Sequence, residues 1–445
     1  MDESITRLLS HPWFSRAWTI QEFAASRRCI LMCGGSSLSW EGFAQLDEKY
    51  YYSYTNIHSH RALLNVRISV FDLIREYDLS LDPDHIPQAR SWDDLSYIAK
   101  KTDFSLINSI SSFESSLPHD KIYAIYSIIR ASGIHIPPPD YGKSIAQVFE
   151  DVSTSYIRDR RKLHILMAML PSPDTDTFPS WVPDWQTHIV KTPFETEMTG
   201  MFRGIDRWNS YSASGSSRHT FVDSSSPGSL VVRAKHLGRL TSRRAALPMD
   251  SQHLTDYGKF KNFNHVCQHW CREVAALPSY PTGEDPRYAA YMTFTPISIT
   301  SNFSEDFILW FDAMLYPDCS WVSKELLDAE FNKGGTNMTD IIEFICSRNW
   351  QSTRTMLRIT YGVQAHINIA ANYAFFFLDN GYMGMAYHTC QEGDQVYLLA
   401  GSDWPFILRP KGDAFRIVAP ASIHGVMEGE LWPEDESKLD QITLV

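Results

Sequence analysis

The sequence predicts an α+β protein with three parts: a short α/β segment at the front, a helical middle and a C-terminal antiparallel β barrel or sandwich. Three observations lead to this prediction. A helical pattern, a short apolar run and a second helix start follow one another at the front of the chain. Long amphipathic helical patterns dominate the middle, and about the last hundred residues alternate short apolar runs with glycine-containing turns.

The front segment, residues 1–56, has the order helix, strand, helix. A helical pattern over 4–28 is followed by the apolar run CILMC, which ends at a Gly-Gly pair. A short apolar run with this ending is typical of a buried strand. Ser39 is then suited to cap the next helix. This order predicts part of an α/β unit.

The middle, residues 57–207, is predicted to be helical. The helix that begins near Asp120 places isoleucines on one face, and residues 144–170 have the pattern of a long amphipathic helix. The segment FPSWVPDW at 178–185 combines prolines with tryptophans, which predicts an ordered, ring-packed loop. Residues 208–229, rich in Ser and Gly, are expected to form a flexible loop.

Residues 230–445 are predicted to form a mixed domain that ends in β structure. A strand-like stretch opens it, and a helix-leaning stretch follows. The apolar runs YAFFFL, YMGMAY, VYLLA, PFILRP and FRIVA then come in close succession, with glycine-containing turns between them. This spacing is typical of a small antiparallel barrel or sandwich.

Composition and motifs indicate which partners, compartment and cofactors to expect. The formal net charge is -12 and no basic stripe occurs, so nucleic acid is not expected. The start of the chain does not resemble a signal peptide, and no stretch offers the ~18 apolar residues of a membrane span, which predicts a cytoplasmic protein. Because the sequence contains no glycine-rich phosphate loop, HExxH, GxSxG or CxxC motif, no cofactor is expected.

Four potential metal ligands lie close together at His265, Cys267, His269 and Cys271. On a helix the two cysteines share one face and the two histidines share another, roughly 200° away. The two pairs cannot close on one ion, so no metal site is expected.

Four blocks of the sequence resemble the fungal heterokaryon-incompatibility (HET) domain family. HPWFSRAWTIQEFAASRR and the following CILMCGGSSLSWEGF are similar to the second half of the HET domain, and LPHDKIYAIYSI is similar to the helix after it. FPSWVPDW resembles a loop of the family, and GYMGMA, EGDQVYLLAG, PFILRP and IHGVMEGE resemble the closing β region of long HET proteins. The resemblance implies a HET domain that is truncated at its N terminus.

HET domains are similar to TIR domains, in which a flavodoxin-like sheet and a glutamate on a Trp-x-x-x-Glu helix cleave NAD. The resemblance implies a TIR-related front segment in which Trp18 and Glu22 match this pattern and Glu22 stabilises a developing oxocarbenium charge. Alternatively, Trp18 packs in the core while Glu22 lies on a solvated face or pairs with Arg16 or Arg27. Since the upstream strands of the nucleotide pocket have no counterpart in this sequence, NAD cleavage is not the leading expectation.

The stretch 360–388 is rich in aromatic side chains. It combines a large apolar area with a few hydrogen-bond donors, which is typical of a site for an apolar small molecule. The predicted substrate-binding residues, together with three tryptophans from earlier in the chain, are Trp18, Trp181, Trp185, Tyr361, His366, Tyr373, Phe375, Phe377, Tyr382 and Met385. The alternative is ordinary strand packing in a β domain.

Two hypotheses of function follow. The first is a cofactor-independent enzyme of fungal secondary metabolism, a cyclase or pericyclase (Diels-Alderase-like) that acts on an apolar terpenoid or polyketide intermediate. Its predicted catalytic residues are Glu22, Asp184, Tyr387 and His388, although Asp184 has the alternative role of fixing loop backbone amides. The second hypothesis is a heterokaryon-incompatibility or cell-death factor, either a degenerate NAD hydrolase or a regulatory partner of another HET-family protein.

Overall fold

The computed structural model of this 445-residue chain describes residues 11–25, 29–39, 42, 110–111, 113–131, 133–168, 178–186, 211–222, 226–243, 257–294, 303–315 and 373–445. The α-helices in these ranges are α1 Trp18–Ala25, α2 Asp120–Tyr123, α3 Tyr126–Ala131, α4 Ile145–Arg160, α5 Tyr257–Ala275, α6 Pro286–Phe294 and α7 Phe303–Met314. The strands are β1 Ile30–Cys33, β2 Ser36–Ser39, β3 Leu230–Arg243, β4 Tyr373–Leu378, β5 Met383–Tyr387, β6 Gln395–Leu399, β7 Pro405–Lys411, β8 Ala414–Ile423 and β9 Asp440–Leu444.

Helix α4 shows how local sequence sets the bounds of an element. Ser144 caps its first turn through a capping box, in which the side chains of Ser144 and Gln147 each accept a backbone hydrogen bond from the other residue. The helix ends at Arg161, whose backbone is left-handed at φ 53°. The predicted start is therefore confirmed, whereas the helix ends earlier than the periodicity to residue 170 predicted.

Strands β1 and β2 form an antiparallel hairpin, with Ile30 opposite Ser39. Gly34, at φ +60°, permits the tight turn between them. Leu31 packs against the core, but Ile30 is 53% exposed and Met32 is 77% exposed. The prediction of a buried strand here is wrong, because an apolar run does not reveal whether both faces of the strand are covered.

Six strands close into an antiparallel barrel. Neighbours pair in the order β4-β5-β8-β7-β6-β3, and the end of β3 pairs with β4 to complete the ring. Strand β3 pairs with both β6 and β4, because its register shifts between His236 and Gly238 and again between Leu240 and Ser242. Strand β9 extends the sheet alongside the first half of β3. Of the two predicted architectures, the barrel is the one formed.

Alternation along the barrel strands divides the buried side chains between two cores. In β6, Tyr397 and Leu399 belong to the first core, which includes the apolar faces of α1 to α4. The intervening Val396 and Leu398 belong to the second core, which includes the barrel strands β4 and β5 and the apolar faces of α5, α6 and α7. The barrel wall is thus buried on both sides.

The mixed α+β class and the large C-terminal β sheet are confirmed. The described part of the front segment contains α1 and the β1–β2 hairpin. Among the described residues, no helix combines the length and the apolar character that crossing a membrane requires.

Candidate functional site

Glu22 and Trp18 lie four residues apart on α1. Trp18 is half-buried against the first core. The adjacent Gln21 ties α1 to α3, because its Nε2 donates to the Oγ of Ser127 at 3.2 Å. Glu22 itself is exposed. The arrangement combines an anchored tryptophan with a carboxylate that solvent can reach.

The two tryptophans of the 178–185 loop are buried, at 1% exposure for Trp181 and 2% for Trp185. The indole N–H of Trp181 donates to the carbonyl of Gly228 at 3.1 Å. Trp185 contacts the ring of Phe149 edge-on, with a centroid distance of 4.8 Å. Both rings therefore contribute packing area to the first core.

Asp184 lies between these rings and is only partly buried. Its Oδ1 accepts a hydrogen bond from the backbone N–H of Gln186 at 2.9 Å. This hydrogen bond fits the alternative to a catalytic role, in which Asp184 fixes the backbone of its own loop.

The aromatic residues of β4 and β5 fill the second core. The ring centroid of Phe375 lies 5.6 Å from that of Trp270 and 4.9 Å from that of Phe294, so it packs between α5 and α6. Tyr382 and Met385 are 9% and 3% exposed. These side chains contact protein atoms on most sides.

The other described members of the stretch lie around this packed centre. Phe377 packs against Phe375 at 4.9 Å between ring centroids. Tyr373 and Tyr387 face each other across the β4–β5 pair, with centroids 6.1 Å apart. His388 is exposed, and its ring lies 4.5 Å from that of Tyr387.

The structure divides the predicted site residues between the two cores. Trp18, Trp181 and Trp185 contribute to the first core, whereas the β4–β5 residues contribute to the second. Tyr361 and His366 lie outside the described residues. The sequence-based set is therefore spread over different parts of the molecule.

The four potential metal ligands on α5 are separated as their spacing predicts. Cys267 and Cys271 are buried, while His265 and His269 are exposed. Burial raises the pKa of the Cys271 thiol, which keeps it protonated.

A buried polar cluster that the sequence analysis missed lies where α4 ends against the barrel. Asp403, in the turn between β6 and β7, is buried. Its Oδ2 lies 2.7 Å from Nε2 of His164, and its Oδ1 lies 3.6 Å from Nζ of Lys162. Lys162 also donates to the carbonyl of Ser217 at 3.2 Å. One carboxylate is thus held between two basic side chains.

Residues 211–219 of the Ser/Gly-rich segment cover this cluster. The backbone N–H of Ser214 donates to the carbonyl of Ser402 at 3.3 Å, and that of His219 donates to the carbonyl of Arg161 at 2.9 Å. The side chains of Ser214 and His219 are buried. A segment expected to be a flexible loop is therefore fixed by hydrogen bonds in this part.

Gly401 allows the segment to approach the barrel closely. Its φ is +85°, and a Cβ there would lie 2.6 Å from the backbone nitrogen of His219 and 3.1 Å from the carbonyl oxygen of Arg161. No other residue type fits both the conformation and the space.

Both ring nitrogens of His219 are buried and have no hydrogen-bond partner among the described residues. Burial, with a smaller effect from the charges of Arg161 and Arg233, lowers the pKa of His219 to about 4, so the ring is neutral at neutral pH. We define the His219 cluster as Arg161, Lys162, His164, Ser214, Ser217, His219, Arg233 and Asp403.

The sequence carries one signal for this cluster, namely the polar run Gly401-Ser402-Asp403 directly after the apolar strand β6. The sequence does not show that residues 162–164 and 211–219 supply the partners of Asp403.

Comparison with known proteins gives two matches. The family model of the Het-6 beta-barrel domain matches residues 354–441, a range that contains β4 to β8. Heterokaryon incompatibility protein 6, OR allele, of Neurospora crassa is 23% identical over 97% of this chain, and the match covers 66% of that protein. Both matches support a protein of the heterokaryon-incompatibility (HET) family. No solved structure matches this HET protein.

This finding corrects the first hypothesis of function. The HET protein is similar over nearly its whole length to an incompatibility protein, and its barrel is the Het-6 barrel. The prediction of a cyclase or pericyclase of secondary metabolism, with its terpenoid or polyketide substrate, is wrong. The aromatic residues that motivated it, such as Phe375, are packed in the second core. The second hypothesis, heterokaryon incompatibility, agrees with the comparisons.

Proposed function

We propose that this HET protein acts in heterokaryon incompatibility as a binding partner of another HET-family protein. The match to heterokaryon incompatibility protein 6 over 97% of the chain carries the proposal. The scatter of the predicted catalytic residues also favours a binding role. Glu22 lies on a helix of the first core, whereas Tyr387 belongs with the second core.

The β1–β2 hairpin is the surface proposed for this partner. Ile30 and Met32 expose large apolar side chains on one face of β1, opposite Ser39 and Ser37 of β2. Burying both side chains would contribute about 1.5–3 kcal/mol each. In the part of the chain that the structure describes, β1 and β2 pair only with each other, so each has a backbone edge for a further strand.

The proposed occupant is an extended strand of a longer HET-family protein. A protein of this kind exists in the family, because the match covers only 66% of heterokaryon incompatibility protein 6. An added strand would pair its backbone with an edge of the hairpin and place apolar side chains against Ile30 and Met32.

A genetic experiment tests the role in incompatibility. Deleting the gene in its fungal host and pairing the deletion strain with strains that the wild type rejects should give viable heterokaryons. Restoring the wild-type gene should restore rejection. If the deletion strain still rejects all the same partners, the proposal is wrong.

A second candidate function is NAD cleavage by a TIR-like site in the front segment. The observation that favours it is the exposed Glu22 four residues after the anchored Trp18 on α1. In this hypothesis Glu22 stabilises positive charge that develops on the ribose as nicotinamide leaves.

Nicotinamide release decides between the two candidates. The purified chain is incubated with NAD, alongside the variant Glu22→Gln, which keeps the size of the side chain and removes its charge. Release by the wild type that the variant has lost would favour catalysis. Equal background release in both would eliminate this second candidate.

A further inference from the structure

The His219 cluster contains buried polar atoms whose hydrogen-bonding capacity is unused. His219 is 1% exposed, and neither ring nitrogen has a partner among the described residues. The Oγ of Ser214 and the Nε–H of Arg233 are also buried and also have no hydrogen-bond partner among the described residues. Each unpaired buried group costs about 1–3 kcal/mol, so native proteins usually satisfy such groups with ordered water or a ligand.

The backbones of these three residues contact one turn of the barrel, residues 400–403. Their backbones reach it through three contacts: Ala400 N to Arg233 O at 2.8 Å, Ser214 N to Ser402 O at 3.3 Å, and His219 N beside Gly401. The residues that carry the unused polar atoms therefore meet at one turn, and the charge of Arg233 acts on the His219 ring.

The charges around this turn leave an excess of positive charge. Asp403 is paired with Lys162, and Glu436 is paired with Arg233. The third cation is Arg161, which is exposed at the end of α4 and marks the solvent side of the cluster. Three cations and two carboxylates leave one positive charge, so the electrostatic field of the cluster favours a group with negative charge.

We propose that the His219 cluster binds a small oxyanion of the phosphate type. The neutral imidazole of His219 donates one N–H to it, Arg233 donates its Nε–H, and Ser214 donates its hydroxyl. Guanidinium and hydroxyl donors of this kind suit the oxygens of a tetrahedral anion. The anion is either free inorganic phosphate or the phosphate of a phosphomonoester. This inference goes beyond the proposed role in incompatibility and does not depend on it.

Thermal unfolding of the full chain tests the proposal. Sodium phosphate, or ribose 5-phosphate in a parallel series, replaces sodium chloride at constant ionic strength, and the unfolding midpoint is recorded. We expect the midpoint to rise and then saturate, as it does when a ligand binds only the folded state. A larger rise with inorganic phosphate identifies a free anion, and a larger rise with ribose 5-phosphate identifies a phosphomonoester. If neither phosphate raises the midpoint above that in chloride, the site holds only water and the proposal is wrong.

Two variants on the same strand provide the matched comparison. Arg233→Met removes the donor in the cluster, whereas Arg239→Met removes an exposed arginine elsewhere on β3. We expect Arg233→Met to weaken phosphate binding by about tenfold or more and Arg239→Met to change it by less than about twofold. Equal affinity in the two variants would overturn the assignment.

A spectroscopic measurement keeps the proposal testable if Arg233→Met does not fold. The ring nitrogens of His219 are observed by NMR in the wild-type chain labelled with ¹⁵N-histidine during the phosphate titration. Their chemical shifts should change and saturate together with the unfolding midpoint. Shifts that stay constant while the other measurements change would contradict contact between His219 and the anion.

Discussion

Two stretches of this HET protein show opposite relations between composition and structural role. Residues 373–388 are rich in aromatic side chains, which suggested a substrate site, yet Phe375 and its neighbours fill the second core. Residues 211–219 are rich in Ser and Gly, which suggested a flexible loop, yet they bring Ser214 and His219 into a buried polar cluster. An aromatic excess measures the area available for packing, whereas buried polar groups without partners indicate where a ligand fits.

The largest expected effect concerns the packed aromatic stretch, residues 373–388. Phe375→Ala should lower the free energy of unfolding by about 3–5 kcal/mol, because it leaves a cavity beside Trp270 and Phe294. Urea unfolding of the wild type and the variant measures the difference in the free energy of unfolding. A loss under about 1 kcal/mol would mean that the ring is not packed as described.

The second prediction concerns the His219 cluster. Asp403→Ala should cost about 3 kcal/mol, because it leaves Lys162 and His164 without their buried carboxylate. Asp151→Ala is the control, since its ion pair with Lys143 is about a third exposed on both sides and should contribute under about 1 kcal/mol. Urea unfolding measures the free energy of unfolding of both variants. Equal losses would show that the ion pairs of Asp403 contribute no more than an exposed ion pair.

The third prediction concerns the pH dependence of stability. The pKa of His219 is about 4 in the folded protein against an ordinary value of 6.5, so the unfolded chain takes up this proton more readily. Its contribution to stability is complete above pH 6.5 and falls as the pH decreases towards 4, by about 3 kcal/mol at most.

The variant His219→Gln removes this titration. In phosphate-free buffer, the free energy of unfolding of the wild type should therefore fall relative to that of the variant over this pH range. Urea unfolding at a series of pH values measures it. A constant difference between the two proteins would contradict a buried, neutral His219.

The smallest expected effect concerns an exposed residue of the aromatic stretch. His388→Ala should change the free energy of unfolding by less than about 0.5 kcal/mol, because the side chain lies at the surface beside Tyr387. Thermal unfolding compares it with the wild type. A change above about 2 kcal/mol would show that His388 is part of a packed structure after all.

These contrasts explain how much the sequence predicts. Strands β4 to β8 follow from their short apolar runs, and the start of α4 follows from its amphipathic pattern, because both signals are local. The exposure of Met32 is not predictable in this way, since it depends on what covers the strand. The Asp403–His164 pair joins residues 239 positions apart, so no local pattern contains it.

Complementation of the deletion strain tests the central claim, that the HET protein acts by binding through its hairpin rather than by Glu22 chemistry. Genes that carry Glu22→Gln, the double change Ile30→Ser and Met32→Ser, or the control Val222→Ser, which alters another exposed apolar residue, are compared for rejection of the same partner strains. We expect Glu22→Gln and Val222→Ser to restore rejection and the hairpin variant to fail while reaching the same protein level. Rejection restored by the hairpin variant but not by Glu22→Gln would contradict the account.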